Sequence, residues 1–160
     1  MKLLRLSALV ISVMLIFTAC AGGDNNVDSS GTKSEINDDI VTSRDGGKGT
    51  FYYPDEDFNN YLTAEKEFDG TAQDIIDTLY ELGNYGDVKV GVNNWYIKGN
   101  TLHIDFDGEL KKATGSSAQE YFSMYGTVKT LKSCFGVELV RLTVNGSDFN
   151  TPHGNYDLPI

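Results

Sequence analysis

The chain has 160 residues, with 13 Lys plus Arg against 23 Asp plus Glu, a formal net charge of −10 at pH 7. That length supports one ordinary hydrophobic core rather than two. The acidic balance argues against nucleic acid and anionic surfaces and favours basic proteins or divalent cations, while two cysteines exclude a disulfide framework.

Met1 to Cys20 reads as a secretion signal. Lys2 and Arg5 make a short positive region, Leu6 to Phe17 an apolar run short for a bilayer span, and Phe17-Thr18-Ala19-Cys20 closes on small residues. That ending resembles a bacterial lipobox, in which the cysteine thiol receives a diacylglycerol and cleavage precedes the cysteine. The resemblance implies a signal peptide over residues 1–19 and a lipid anchor at Cys20, which would hold the protein on the extracytoplasmic face of the cell membrane. A plain secretory cut is the alternative. Two or more acyl chains, at about 0.8 kcal/mol per buried methylene, give a firm anchor. Loss of Lys2 and Arg5 leaves 11 Lys plus Arg against 23 acids. Cys134 then lacks a partner within the chain, and its apolar helical setting predicts a buried, inert thiol.

Ala21 to Gly49 contains no aromatic residue and is rich in Gly, Ser, Asn and Asp, a composition that cannot offset its ordering entropy. Residues 20–49 are therefore expected to form a lipidated tether with a reach on the order of 30 Å. The folded domain is expected over residues 50–160. Phe51-Tyr52-Tyr53-Pro54 predicts a first strand and Tyr61 to Phe68 a second, across the polar turn at Asp55-Glu56-Asp57. Thr71, with Asp74 three residues on, caps a helix carrying Ile75, Ile76, Leu79 and Leu82, which stops near Gly83 and Gly86.

Trp95 to Lys98, the Gly99-Asn100 turn and Thr101 to Asp107 read as a hairpin with Leu102, Ile104 and Phe106 facing inward. Ser117 and Glu120 form a capping box for a second helix with an apolar stripe of Tyr121, Met124, Val128, Leu131 and Phe135, ended by Gly136. Gly126 in its middle marks close packing. Val137 to Asn145 alternates through Leu139 or Val140, Leu142 and Val144 as a last strand. The order β-β-α-β-β-α-β predicts an α/β (α+β) fold, a small mixed sheet with two helices packed on one face.

The chain offers little chemistry. Asp55-Glu56-Asp57-Phe58-Asn59 opens like a calcium loop, but Asn60 stands where the sharp turn needs glycine and Lys66 where the cage needs a bidentate acid, so a solvated acidic loop is expected. His103, Asp105 and Asp107 alternate on a strand and would align an imidazole with two carboxylates, but with Leu102, Ile104 and Phe106 opposite them they read as the wet side of a half-buried strand, the metal site being the minor alternative. An envelope glycan hydrolase using Asp105 and Asp107 as its carboxylate pair is the less favoured alternative, because two acids at adjacent same-face positions are commonplace. A nucleophile elbow, a phosphate-binding glycine loop and a cysteine cluster are lacking, so neither cofactor nor metal is predicted. Of the aromatics in strands and loops, Tyr53, Phe58 and Tyr96 are the candidate anchors for a partner.

Several segments carry a family resemblance: Phe51-Tyr52-Tyr53-Pro54-Asp55, Leu102-His103-Ile104-Asp105-Phe106, Thr127-Val128-Lys129-Thr130-Leu131 with Val137, Val140 and Val144-Asn145-Gly146, and the closing His153 to Ile160. Together they resemble a GerMN domain, the module of bacterial sporulation and spore-germination lipoproteins and of other envelope lipoproteins, over Thr50 to Ile160. The resemblance implies a non-catalytic binding or assembly module, with no catalytic residues to carry over. Typical sporulation members carry two copies, whereas this chain carries one. The expected partners are an envelope protein or a second copy of the chain, bound through an exposed sheet edge or helix face, with peptidoglycan the alternative and nucleic acid excluded.

Overall fold

The computed structural model describes residues 39–113, 115–151 and 154–155. The signal segment, Cys20, the tether as far as residue 38, His153 and the tail after Asn155 lie outside the described residues.

The chain runs through β1 (Ile40–Val41), β2 (Gly47–Pro54), β3 (Tyr61–Phe68), α1 (Ala72–Glu81), β4 (Val92–Lys98), β5 (Thr101–Phe106), a short 3-10 helix (Gly108–Lys112), α2 (Ser117–Phe135), β6 (Leu139–Val144) and β7 (Ser147–Asp148). Two short strands, β8 (Asn150–Thr151) and β9 (Gly154–Asn155), follow as a separate pair. The fold is mixed α/β with two helices, as the sequence predicts.

Five strands form one sheet in the order β1-β4-β5-β6-β7. β4 and β5 are antiparallel across Gly99, whose φ of 58° supplies the left-handed backbone that the tight turn requires. β5 and β6 run parallel, so the chain must return to the same end between them, and α2 makes that crossover. Strand alternation then buries Leu102, Ile104, Phe106, Val140, Leu142 and Val144 on one face, in a single core with Ile75, Ile76 and Leu79 of α1 and Met124, Leu131 and Phe135 of α2. Phe135 packs against Trp95, with ring centroids 4.9 Å apart, and meets Phe68 edge-on at 6.3 Å.

β2 and β3 do not join this sheet. They form their own hairpin, whose inner edge docks along α2. The Thr50 amide donates to Ser133 Oγ (3.0 Å) and the Tyr52 amide to Thr130 Oγ1 (2.9 Å), so helix hydroxyls satisfy groups that a neighbouring strand would otherwise pair. Gly126 makes the approach possible: a Cβ there would lie 2.6 Å from the Tyr52 carbonyl oxygen. α2 is consequently buried on two sides, by the main sheet through Met124, Val128, Leu131 and Phe135 and by the hairpin through Gly126, Thr130 and Cys134. Its contact with the end of α1 is polar, where buried Asn84 donates to the Ser123 carbonyl and to Thr127 Oγ1, each at 3.1 Å.

Several local expectations are corrected. Strand pairing starts at Ile40, inside the segment read as tether, because Ile40 and Val41 are two adjacent β-branched residues that pair with Lys98 and Ile97. The cap of α2 is Ser116, whose hydroxyl accepts the Gln119 amide, rather than Ser117. Tyr121, assigned to the inward stripe, is 51 % exposed. In β6 it is Val140 that faces inward, and Leu139 is exposed.

Candidate functional site

The face of the five-stranded sheet that carries no helix is polar. Register places Tyr96, His103 and Arg141 side by side across β4, β5 and β6, and Asn94, Asp105, Thr143 and Asp148 in the next row. The Tyr96 and His103 rings stack at 4.5 Å with an interplanar angle of 7°. Arg141 reaches Asp148 at 3.4 Å, and these residues line an open hollow of about 420 Å³. Burial first, then the positive charges of Arg141 and Lys98, hold the His103 imidazole below its usual pKa.

Asp105 and Asp107 do not form a carboxylate pair with this histidine. Asp105 Oδ1 accepts from Thr143 Oγ1 (2.6 Å) and the Gly146 amide (2.8 Å), and Oδ2 accepts from Asn93 Nδ2 (3.0 Å). Burial by itself would raise its pKa, but these three donors together hold it below the usual carboxylate range. The carboxylate is thus occupied in fixing the turn between β6 and β7. Asp107 lies past the end of β5, where its side chain caps the 3-10 helix through the Glu109 amide at 3.0 Å. Asp55, first residue of the calcium-like segment, also closes its own loop, accepting from the Asn59 amide (2.8 Å) and the Asn60 side chain (2.9 Å). Among the described residues, no three His, Cys, Asp or Glu side chains are grouped to hold a metal ion.

A second surface forms where the hairpin meets the outer side of α2. Tyr121, Tyr125 and Lys129 follow one another at helical i, i+4 spacing, with Phe122 beside them, and Tyr52 and Tyr61 face them from β2 and β3. Ring centroids of Tyr61 lie 4.7 Å from Phe122 and 4.9 Å from Tyr125, and Tyr121 is near-parallel to Tyr125 at 6.0 Å. Lys129 Nζ sits over the Tyr125 ring (4.6 Å to the centroid) and the Tyr52 ring (5.3 Å).

The free edge of the hairpin adjoins this surface. Thr50 and Tyr52 turn their peptide groups to α2, so Phe51 and Tyr53 are the residues that exchange bonds with Ala64 and Leu62. With a period of two, Thr63 and Glu65 therefore direct theirs outward. Among the described residues no strand pairs with this side of β3, and Thr63, Glu65, Lys66 and Glu67 are exposed.

A family model described as Germane, sporulation and spore germination, matches residues 50–149. The chain belongs to this family. Membership implies a role related to sporulation and spore germination. No curated protein and no solved structure matches the chain. The matched span starts at Thr50, where the resemblance begins, and ends at Phe149, so His153 to Ile160 lie beyond it.

Within the Germane domain the three expected anchor residues fall in three places. Tyr53 is half-buried on the hairpin face that it shares with Phe51 and Leu62. Phe58 is half-buried in the β2–β3 turn with φ at 53°, a left-handed backbone unusual for an aromatic residue, and its amide donates to the Asp55 carbonyl. Tyr96 lies against His103 on the other sheet. The aromatics that do assemble are Tyr52, Tyr61, Tyr121, Phe122 and Tyr125. The i, i+4 repeat of Tyr121, Tyr125 and Lys129 is the sequence signal that marks them. Cys134 is buried against β2, and burial first, with the charges of Glu65 and Asp74, pushes its thiol up to about 12.

Proposed function

We propose that this Germane protein is a lipid-anchored, extracytoplasmic binding and assembly module of the cell envelope, non-catalytic in itself, which docks a basic, extended segment of a neighbouring envelope protein along β3. The observation that carries the reading is the outer edge of β3, eight residues long, with outward peptide groups at Thr63 and Glu65 and no strand beside it among the described residues. Such an edge is a template for strand addition. Glu65 and Glu67 share one strand face, and the chain is acidic as a whole, so an incoming strand with alternate Lys or Arg residues is favoured in both approach and register. The lipid anchor rests on the Phe17-Thr18-Ala19-Cys20 sequence. Asp105 and Asp107 are both engaged in holding turns, which supports a role without catalysis.

Photocrosslinking in cells, with a reactive group at Lys66, tests the docking surface. Capture of one envelope protein is expected, and Thr63→Pro or the pair Glu65→Lys and Glu67→Lys should abolish it. The proline removes an outward amide at a strand edge, where the hairpin tolerates it. Capture that survives both changes, in chains with unaltered circular dichroism, refutes docking along β3. Incorporation of labelled palmitate that persists in Cys20→Ser refutes the anchor.

A further inference from the structure

We propose that Tyr52, Tyr61, Tyr121, Phe122, Tyr125 and Lys129 form a glycan-binding platform that takes a neutral, N-acetylated amino-sugar chain. This surface is distinct from the β3 edge in chemistry, and its ligand need not be the protein that docks there.

Tyrosine rings present electron-rich faces on which the C–H faces of a sugar ring can lie, and each ring is held by only two side-chain torsions, so little freedom is lost on binding. Tyr121 and Tyr125 are near-parallel, at 17°, and Tyr121 is 51 % exposed. The stripe from Tyr121 to Lys129 rises about 12 Å along the helix, which suits a short oligosaccharide rather than one sugar. Tyr52, Tyr121 and Tyr125 bring hydroxyls, and Lys129 an ammonium group with three donor hydrogens, to a surface rich in rings.

The composition of the patch selects the ligand. None of its six residues is aliphatic, and exposed Leu62 pairs with Tyr53 and therefore lies on the other face of the hairpin. The tyrosine hydroxyls and the Lys129 ammonium set polar tips beside the rings, so a polyol finds ring faces and donors together. No carboxylate belongs to the cluster, and its single cation is already seated on two rings, so a polyanion gains little there while the net charge of −10 repels it. An acetamido carbonyl is a neutral acceptor for Lys129. The Tyr61 hydroxyl is buried beneath the cluster, without a hydrogen-bond partner among the described residues.

The test titrates the full chain, in detergent, with the tetramer of N-acetylglucosamine and with cellotetraose, followed by calorimetry and by NMR of the tyrosine rings. Saturable binding of the acetylated tetramer is expected, weakened at least about tenfold by Tyr125→Ala and by Tyr121→Ala. Lys129→Met should erase the preference for the acetylated sugar over cellotetraose. Tyr121→Ala carries the test if Tyr125→Ala unfolds, because Tyr121 is the more exposed residue. The proposal is overturned by no saturable binding of either sugar, by binding that both tyrosine substitutions leave unchanged, or by ring shifts caused only by a proline-rich peptide or neutral lipid vesicles. Tyr121→Ala, on the outer side of α2, should leave capture at Lys66 intact, which separates failure of this platform from failure of docking at β3.

Discussion

Gly126→Ala sets two opposite expectations against each other. By helix propensity alone, alanine in the middle of α2 should stabilise the chain by about 1 kcal/mol. The structure predicts the reverse. The new Cβ would lie 2.6 Å from the Tyr52 carbonyl oxygen and 2.9 Å from Asn84 Oδ1, well inside ordinary contact, and the nearer of these is backbone that cannot rotate away. The hairpin must move off the helix by several tenths of an ångström. That movement stretches the bonds from the Tyr52 amide to Thr130 (2.9 Å) and from the Thr50 amide to Ser133 (3.0 Å). Overpacking of this kind costs about 1–3 kcal/mol, and weakening one such bond about 1 kcal/mol more. Against the propensity gain, a net loss of about 1–3 kcal/mol is expected, or a fall of roughly 5–10 °C in melting temperature. Urea denaturation should show a lower midpoint at unchanged slope, and hydrogen exchange should quicken at the Thr50 and Tyr52 amides. A midpoint equal to or above that of the parent chain would refute the close contact between strand and helix.

Three further outcomes are expected. Asp105→Ala should destabilise the fold by about 1–2 kcal/mol through loss of the charged acceptor for Thr143, Gly146 and Asn93. Because the folded carboxyl sits below its unfolded pKa, its contribution is present above about pH 4 and lost as pH falls through the folded value, so the variant should show a shallower acid limb in pH-dependent denaturation. The His103 ring should titrate below pH 6.5 by NMR and move upward in Arg141→Gln, and an apparent pKa at or above 6.5 in the parent would contradict the stacked, positively flanked position. In a Cys20→Ser chain, a thiol reagent at pH 8 should leave Cys134 unmodified until denaturant is added, since both burial and its raised pKa suppress the thiolate.

The sequence foretells those elements whose local chemistry and tertiary setting agree. Thr71 with Asp74, Gly99, Gly136 and the alternation of Leu102, Ile104 and Phe106 each act within one element, and each stands where it is expected. α2 is less legible because it has two buried sides. A single-stripe reading assigns Tyr121 to the core, while the small residues Gly126, Thr130 and Ser133, spaced to meet a strand edge, have no hydrophobic signature. The cap of α2 is ambiguous for a different reason: Ser116 and Ser117 are each followed three residues later by a residue able to close the box, Gln119 or Glu120. The candidate site shows the same limit. Tyr53, Phe58 and Tyr96 are plausible one at a time, but which aromatics converge depends on the hairpin lying across α2, and the strand pattern carries no information about that docking.

The hydroxyls that Thr130 and Ser133 offer to β2 leave the hairpin able to grow in one direction only. If its partner were another copy of the chain, two hairpins would meet β3 to β3 in a four-stranded ribbon whose outer margins both rest on helices. No growing end would remain, and the assembly would stop at a pair instead of lengthening into a fibre.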